Sequence, residues 1–138
     1  GKDDFTKCPN GAPGVETRMP IVFSEGVSKG RLSLNEFAAV TSTNPAKIFG
    51  MYPKKGVLAP GSDADIVLMN PDMEVTITKN ILHENVDYTP YEGIQVKGWP
   101  VMTMVRGQAV VENERLQVPL GFGRYINRKP VKYTELLK

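Results

Sequence analysis

Few side chains in this 138-residue sequence have the chemistry of a catalytic or metal site. His83 is its single histidine and Cys8 its single cysteine. A histidine-based metal site needs several such ligands, so His83 has no partner for one in this chain. We therefore interpret His83 as a packed or hydrogen-bonded loop histidine. Cys8 could line a pocket, but a lone cysteine is more typical of a small buried apolar residue.

Asp63 and Asp65 resemble a paired carboxylate site. They flank Ala64 at strand spacing, so both side chains would face the same side of a strand. The preceding Gly61-Ser62 is typical of a turn, which favours turn and strand-entry roles for the two aspartates. We predict that they are structural.

Composition excludes several classes of protein. With 41% hydrophobic and 23% charged residues, the sequence has the balance of a globular domain and not of a disordered chain. Its formal net charge is +2 and the basic residues are scattered, which argues against nucleic-acid binding. No run approaches the roughly 18 apolar residues of a membrane span. The single cysteine fits a reducing compartment, and we expect a cytoplasmic protein.

The first 50 residues are predicted to be helix and loop. Apolar residues cluster on one side of the first helical segment, and Gly30 can end it. Ser33 and Glu36 match a capping box, in which each residue caps the backbone of the other. The predicted helices are 19–29, a second one that begins after Ser33, and a short third one over 46–49, which Asn44-Pro45 starts and Gly50 stops.

Near Pro53 the pattern changes from helical to alternating. Alternation over 73–78 favours a half-buried strand, and Arg106-Gly107-Gln108 favours a hairpin turn. Residues 80–99 are predicted to be a long connection. The predicted strands are 56–58, 64–69 (ended by Asn70-Pro71), 73–78, 101–105 and 109–111. These strands are too few to close a core, so we expect them to pack on something else.

Three segments of the sequence carry a family resemblance. They are Lys7–Arg18 (KCPNGAPGVETR), Thr41–Gly50 (TSTNPAKIFG) and Lys55–Val67 (KGVLAPGSDADIV). Together they resemble the dihydropyrimidinases and hydantoinases, the cyclic-amide hydrolases of the amidohydrolase superfamily. The tail motif Gly123–Lys129 (GRYINRK) points to the same family. The similarity extends over nearly the whole sequence, and we expect the chain to be the C-terminal part of such an enzyme.

The resemblance implies an α/β fragment of a larger fold. Residues 1–52 would supply the substrate loop and closing helices of a (β/α)8 TIM-type barrel. Residues 53–118 would be antiparallel strands of the small β-sandwich, and residues 119–138 an extended C-terminal tail that contacts other subunits of a homotetramer. In the family, two zinc ions bridged by a carboxylated lysine activate water, and their ligands precede this segment. We therefore expect no catalytic residue, no metal ligand and no bound zinc in this chain alone.

The loop around Asn10 is the candidate substrate site that the resemblance implies. By itself Asn10-Gly11 is a turn signal. In the family this loop follows the last barrel strand, where TIM-barrel active sites lie. A flat cyclic amide presents N–H and C=O groups that backbone groups can match. We therefore predict that the backbone of Asn10, together with Gly11, binds substrate. Glu16 and Arg18 either orient this loop by pairing with residues of the barrel or form a solvated helix entrance.

Two functions fit this resemblance. The first is an enzyme part that, with the remainder of the barrel, opens dihydropyrimidine or hydantoin rings. The second is a non-catalytic assembly protein like the collapsin response mediator proteins, which share the architecture without the metal site. In that group a glutamate takes the place of Asn10, so the sequence favours the enzyme. We expect neither nucleic-acid nor membrane partners.

Overall fold

A computed structural model of the chain describes residues 3–8 and 10–131. Helices precede antiparallel strands, which confirms the predicted order. The α-helices are α1 (Arg18–Val22), α2 (Leu34–Ala38) and α3 (Asn44–Ile48), and short 3-10 turns lie at Phe5–Lys7 and Lys79–Ile81. The strands are β1 (Ile66–Thr76), β2 (Gln95–Val105), β3 (Gln108–Glu112) and β4 (Arg115–Leu116). They form one antiparallel sheet in the order β1-β2-β3-β4.

Both helical regions contain wider, π-helical turns. The segment Phe23–Ser28 continues α1, and Ala39–Thr43 joins α2 directly to α3. The first region ends at Gly30, which has φ +69°, as predicted. In the second, α3 begins at Asn44 with Pro45 in its first turn, as predicted, but it follows the π-helical turn without an intervening loop. Pro45 has no N–H to donate, and the preceding π-helical turn changes the backbone pairing where that donor is missing.

The capping box at Ser33 is confirmed. Ser33 Oγ accepts a hydrogen bond from Glu36 N at 3.2 Å, and Glu36 Oε2 accepts one from Ser33 N at 2.8 Å. The backbone bond from Ser33 holds the pKa of the Glu36 carboxyl below its ordinary value, and the serine hydroxyl adds to this effect. This pairing satisfies two of the backbone donors that a helix start leaves open.

The two strand segments predicted on either side of Asn70-Pro71 are one strand. β1 pairs with β2 from Ile66–Met104 to Thr76–Gln95, with a shift in register between Asn70 and Glu74. Within this bulge Asn70 Oδ1 accepts a hydrogen bond from Asp72 N at 3.1 Å. A bulge tolerates the missing N–H of Pro71, so the proline interrupts the pairing without ending the strand.

Two further strand predictions are corrected. Residues 56–58 are not a strand, because this segment packs on the helices. Gly56 O accepts a hydrogen bond from Thr43 Oγ1 at 2.7 Å, and a Cβ on Gly56 would lie 2.5 Å from that of Ala46. The predicted connection 80–99 also ends early, because β2 begins at Gln95. The hairpin turn is confirmed, with positive φ at both Arg106 and Gly107 as a type I′ turn requires.

The sheet and the helices meet along β2. Ile77, Val96 and Trp99 form a buried apolar cluster on the sheet. On the helical side, Phe23 packs edge-to-face on Phe37, with ring centroids 5.3 Å apart. A Cβ on Gly98 would lie only 2.2 Å from Phe23 Cδ1, so a glycine at this point of β2 lets the helix approach the strand.

Two serines of the π-helical segment Phe23–Ser28 bind the backbone of β2. Ser24 Oγ accepts a hydrogen bond from Lys97 N at 3.1 Å, and Ser28 Oγ donates one to Lys97 O at 3.0 Å. These two bonds satisfy both the N–H and the C=O of Lys97, on the side of β2 that faces the helices. The widened helical turn thus forms polar as well as apolar contacts with the sheet.

The described part of the tail runs back over the chain at two points. Arg106 lies over the ring of Phe122 and donates a hydrogen bond to Phe122 O at 2.8 Å. Further on, Lys129 N donates to Gly50 O at 3.0 Å. Between these points Tyr125 remains 85% exposed. The contact of the tail with another subunit stays a prediction, and Tyr133, which we expect in that contact, lies outside the described residues.

Candidate functional site

The tip of the candidate substrate loop, residues 10–11, is exposed. Gly11 has φ +88°, and no atom of the described residues lies within 4 Å of where its Cβ would be. The left-handed conformation disfavours any residue with a branched side chain. Among the described residues, the space on the Cβ side of Gly11 is thus open for contact. Pro9 lies outside the residues that the structure describes.

The first half of the loop is held by a local cap. Asp4 Oδ1 accepts hydrogen bonds from Thr6 N at 3.0 Å and from Thr6 Oγ1 at 2.6 Å. The hydroxyl bond holds the pKa of the Asp4 carboxyl below its ordinary value. Cys8 follows this turn and is exposed. Its predicted burial is therefore wrong for this chain, because the turn has no core beneath it.

The second half of the loop, residues 14–17, is fixed against the connection between β1 and β2 and is called the loop root below. Gly14 lies against Tyr91, since a Cβ at Gly14 would be 3.4 Å from Tyr91 Cε2. Thr17 is completely buried. Arg18 N donates a hydrogen bond to Gly14 O at 3.2 Å, which closes the turn into α1. Arg18 itself has an exposed side chain, and its pairing with barrel residues stays a prediction.

Glu16 binds His83 through both carboxylate oxygens. His83 N donates to Glu16 Oε2 at 2.7 Å, and His83 Nδ1 lies 2.7 Å from Glu16 Oε1. On the other side of the ring, Nε2 lies 3.0 Å from Glu114 O in the turn between β3 and β4. The Glu16 bond, followed by the Glu114 carbonyl, raises the pKa of His83 above its ordinary value. The prediction of a hydrogen-bonded loop histidine is confirmed.

Asp63 and Asp65 form an ion-pair network with two lysines. Asp63 lies 2.8 Å from Lys54 and 2.9 Å from Lys55, and Lys55 also contacts Asp65. Asp65 Oδ1 accepts a hydrogen bond from the backbone N of Arg106 at 2.9 Å. Burial opposes the charge of Lys55, but its bonds to Asp65 and Asp63 outweigh this and raise its pKa. The network ties the start of β1 to the hairpin, and the predicted structural role of the aspartates is confirmed.

No metal site is formed within residues 3–8 and 10–131. No group of three or more histidine, cysteine, aspartate or glutamate side chains there could hold a metal ion. The single histidine has both ring nitrogens occupied by Glu16 and Glu114. The described residues therefore do not fit the two-zinc site that the family resemblance implies. In the same described ranges, no helix is long and apolar enough to cross a membrane.

Sequence reasoning missed the partners of the loop root. His83 and Tyr91 both lie in the β1–β2 connection, residues 77–94, far from the loop along the chain. Neither residue shows a local pattern that would reveal its contact with the loop. Only the fold brings them together.

Comparisons with known proteins agree on one family. The sequence model of the amidohydrolase family matches residues 9–110. The chain is 47% identical to D-hydantoinase of Geobacillus stearothermophilus over 99% of its own length and 29% of that protein. It is 46% identical to D-phenylhydantoinase of Escherichia coli O1:K1 over 94% of its length and 28% of that protein. This chain belongs to the amidohydrolase family.

Solved structures give the same result. The crystal structure of dihydropyrimidinase from Brevibacillus agri NCHU1002 matches with a TM-score of 0.90 and 52% identity, over 96% of this chain and 29% of that one. L-hydantoinase from Arthrobacter aurescens matches with a TM-score of 0.84 and 42% identity, over 91% and 28%. The resemblance seen in the sequence is confirmed. The chain spans less than a third of the length of these relatives.

Proposed function

We propose that this chain is the C-terminal part of a hydrolase that opens cyclic amide rings such as dihydropyrimidines and hydantoins. The observation that carries the proposal is the loop tip: Gly11 holds a left-handed, open backbone on a fixed root, in a chain closely similar to D-hydantoinase. The relatives reported above bear the names of enzymes. This favours the enzyme over an assembly protein of the collapsin response mediator type.

The chain's own part in the reaction is to bind and orient the ring. The backbone N–H and C=O of Asn10 would pair with a C=O and an N–H at the edge of the planar substrate. Hydrolysis then adds water to the ring carbonyl carbon and breaks its bond to nitrogen. Positioning matters here, because a misplacement of about 1 Å can cost about a hundredfold in rate. A backbone site on a stiff loop loses little entropy on binding.

The exposed apolar side chains of the helices support a larger barrel around this chain. Val40, Ile48 and Phe49 are between 49% and 56% exposed. Such a row along a helical surface is typical of a face that another element covers. We propose that residues 1–52 close the barrel, that residues 53–118 form part of the β-sandwich, and that residues 119–138 contact another subunit of a homotetramer.

Any zinc ions of the complete enzyme would be held by residues outside the described part of this chain. Bound zinc supplies an activated water and polarises the amide carbonyl. The isolated chain should accordingly hydrolyse neither dihydrouracil nor hydantoin. It should also bind no stoichiometric zinc, which elemental analysis can measure. Location in the cytoplasm is part of the same proposal.

The loop assignment is tested by Gly11→Val in the complete enzyme that contains this chain. Valine at φ +88° would distort the tip, so kcat/KM should fall by about a hundredfold while zinc content stays the same. Asn10→Ala keeps the backbone groups and should retain most of the activity. Gly61→Val is a matched control, because Gly61 has φ +90° and open space around its Cβ but lies outside the loop.

The outcomes separate binding from stability. The control should lose stability as much as Gly11→Val does, yet keep its kcat/KM. If Gly11→Val hydrolyses dihydrouracil and hydantoin as fast as the parent, the loop is only a turn and the substrate assignment is withdrawn.

A further inference from the structure

We propose that His83 is a positioning residue for the Asn10 loop and acts through Glu16. This inference rests on the proposed function, since it matters for catalysis only if the loop binds substrate. The side chain of Glu16 accepts two hydrogen bonds from His83, one from the backbone N and one from the ring, both at 2.7 Å. The bonds from His83 to Glu16 and to Glu114 O are called the His83 clamp below.

The clamp fixes the loop to two other elements. Glu16 belongs to the loop root, His83 to the β1–β2 connection, and Glu114 to the turn between β3 and β4. Among the described residues, no atom beyond its chain neighbours lies within 4 Å of where a Cβ on Gly11 would be. The position of the tip therefore depends on the root, from which it is separated by Pro13 with its fixed φ. A root that moves would carry the tip with it.

The contacts also fix the protonation state that completes the clamp. A carboxylate and a backbone carbonyl can only accept hydrogen bonds, and these are what the two ring nitrogens face. Both bonds form together only when both nitrogens carry a proton, which makes the ring a cation. The charged groups that act on it are Glu16 from the loop root and Glu114 from the β3–β4 turn. Both are acidic, so both favour the cation.

His83→Ala and Glu16→Gln, made in the complete enzyme, test the clamp. Each should lower kcat/KM for dihydrouracil about tenfold, mainly through a higher KM, with zinc content unchanged. The double variant should be no less active than the less active single variant, because both single changes weaken the contact between the His83 ring and Glu16. Hydrogen exchange of the amides in residues 10–17 should become faster in both variants. Glu25→Gln is the matched control, since Glu25 is an exposed partner of Lys29 at 2.6 Å on the helix.

A pH series separates a charged clamp from a merely structural contact. The ratio of kcat/KM between the parent and His83→Gln cancels titrations that the two enzymes share. His83 has a raised pKa, so this ratio should be largest below the ordinary pKa of histidine and should fall towards a constant as the pH rises through the raised value. A ratio that does not change with pH would contradict the charged form of the clamp.

Three results would decide the proposal. If His83→Ala fails to fold, Glu16→Gln carries the test, because its side chain is partly exposed and keeps its size. If Gly11→Val loses activity but His83→Ala and Glu16→Gln keep the parental kcat/KM and exchange rates, the clamp is refuted while the substrate loop stands. If Gly11→Val is fully active, the substrate role of the loop fails and the clamp loses its role in catalysis with it, while the hydrolase assignment stands.

Discussion

The helices and the sheet differ in how they bury their apolar side chains. The sheet has its own cluster around Ile77, which is completely buried, with Val96 and Trp99. The helices bury Phe23 and Phe37 against the sheet but leave Ile48 56% exposed. The sheet thus has a buried apolar cluster within this chain, although Leu68 and Leu116 stay exposed on it, whereas the outer helical face has its apolar side chains mostly open. The family's longer relatives have the additional chain length to cover that face.

The largest effect is expected where the two regions meet. Gly98→Ala places a Cβ 2.2 Å from Phe23 Cδ1 at φ +100°. Overpacking and the left-handed conformation together should lower the free energy of unfolding by about 3 kcal/mol. Chemical denaturation of the complete enzyme measures this. Gly93→Ala is the control, because Gly93 has φ +81° but open space, and it should lose only the conformational part. Equal losses of unfolding free energy in Gly98→Ala and Gly93→Ala would mean that stability does not depend on the close approach of the helix to β2.

Ile48→Ala tests whether another part of the complete enzyme covers the outer face of the helices. In the isolated chain, where Ile48 is 56% exposed, the change should alter the free energy of unfolding by no more than about 0.5 kcal/mol. In the complete enzyme the same change should cost about 2 kcal/mol, because the side chain would be buried there. Denaturation of both forms gives the comparison. The same small cost in both would argue that nothing covers this helical face.

The smallest effect is expected at the helix start. Ser33→Ala removes the oxygen that accepts from Glu36 N and should cost about 1 kcal/mol. The loss measures how much the hydrogen bonds of the helix start contribute to the free energy of unfolding, independently of the sheet. Ser42→Ala, at an exposed position of the π-helical turn, is the control and should change little. A loss at Ser33 no greater than at Ser42 would show that packing, and not the cap, defines this helix.

Local signals in the sequence predicted the local features correctly. Ser33 and Glu36 lie three residues apart, and Arg106-Gly107 is a two-residue turn, so each pattern contains all the residues that make the contact. The predictions failed where a distant element decided the outcome. Gly56 looked like the start of a strand, but its carbonyl binds Thr43 on the helix. The early part of β2 was missed because Gly98 and Pro100 interrupt the alternation that marks a strand.

The candidate site was predictable in part. The loop at Asn10-Gly11 was found from the family resemblance, and its glycine has the positive φ that such a turn favours. The bond between Glu16 and His83 spans 67 positions and was not predicted. Nothing near either residue in the sequence indicates it, since a glutamate and a histidine in two polar loops are typical of any surface. The two residues come into contact only because β1 and β2 bring the connection between them next to the loop root.

The hydrogen bond from Lys129 N to Gly50 O has a consequence for protein engineering. Residues 51–128 leave the helical region and return to the same point, so their two ends are neighbours in space. The whole sheet, with the first part of the tail, therefore enters and leaves the chain at one point, while Lys97 and His83 also bind the first helical segment and the loop root. Exchanging this segment between members of the amidohydrolase family would need two cuts at adjacent positions, and the donor segment would have to keep the contacts with the loop root and the helices.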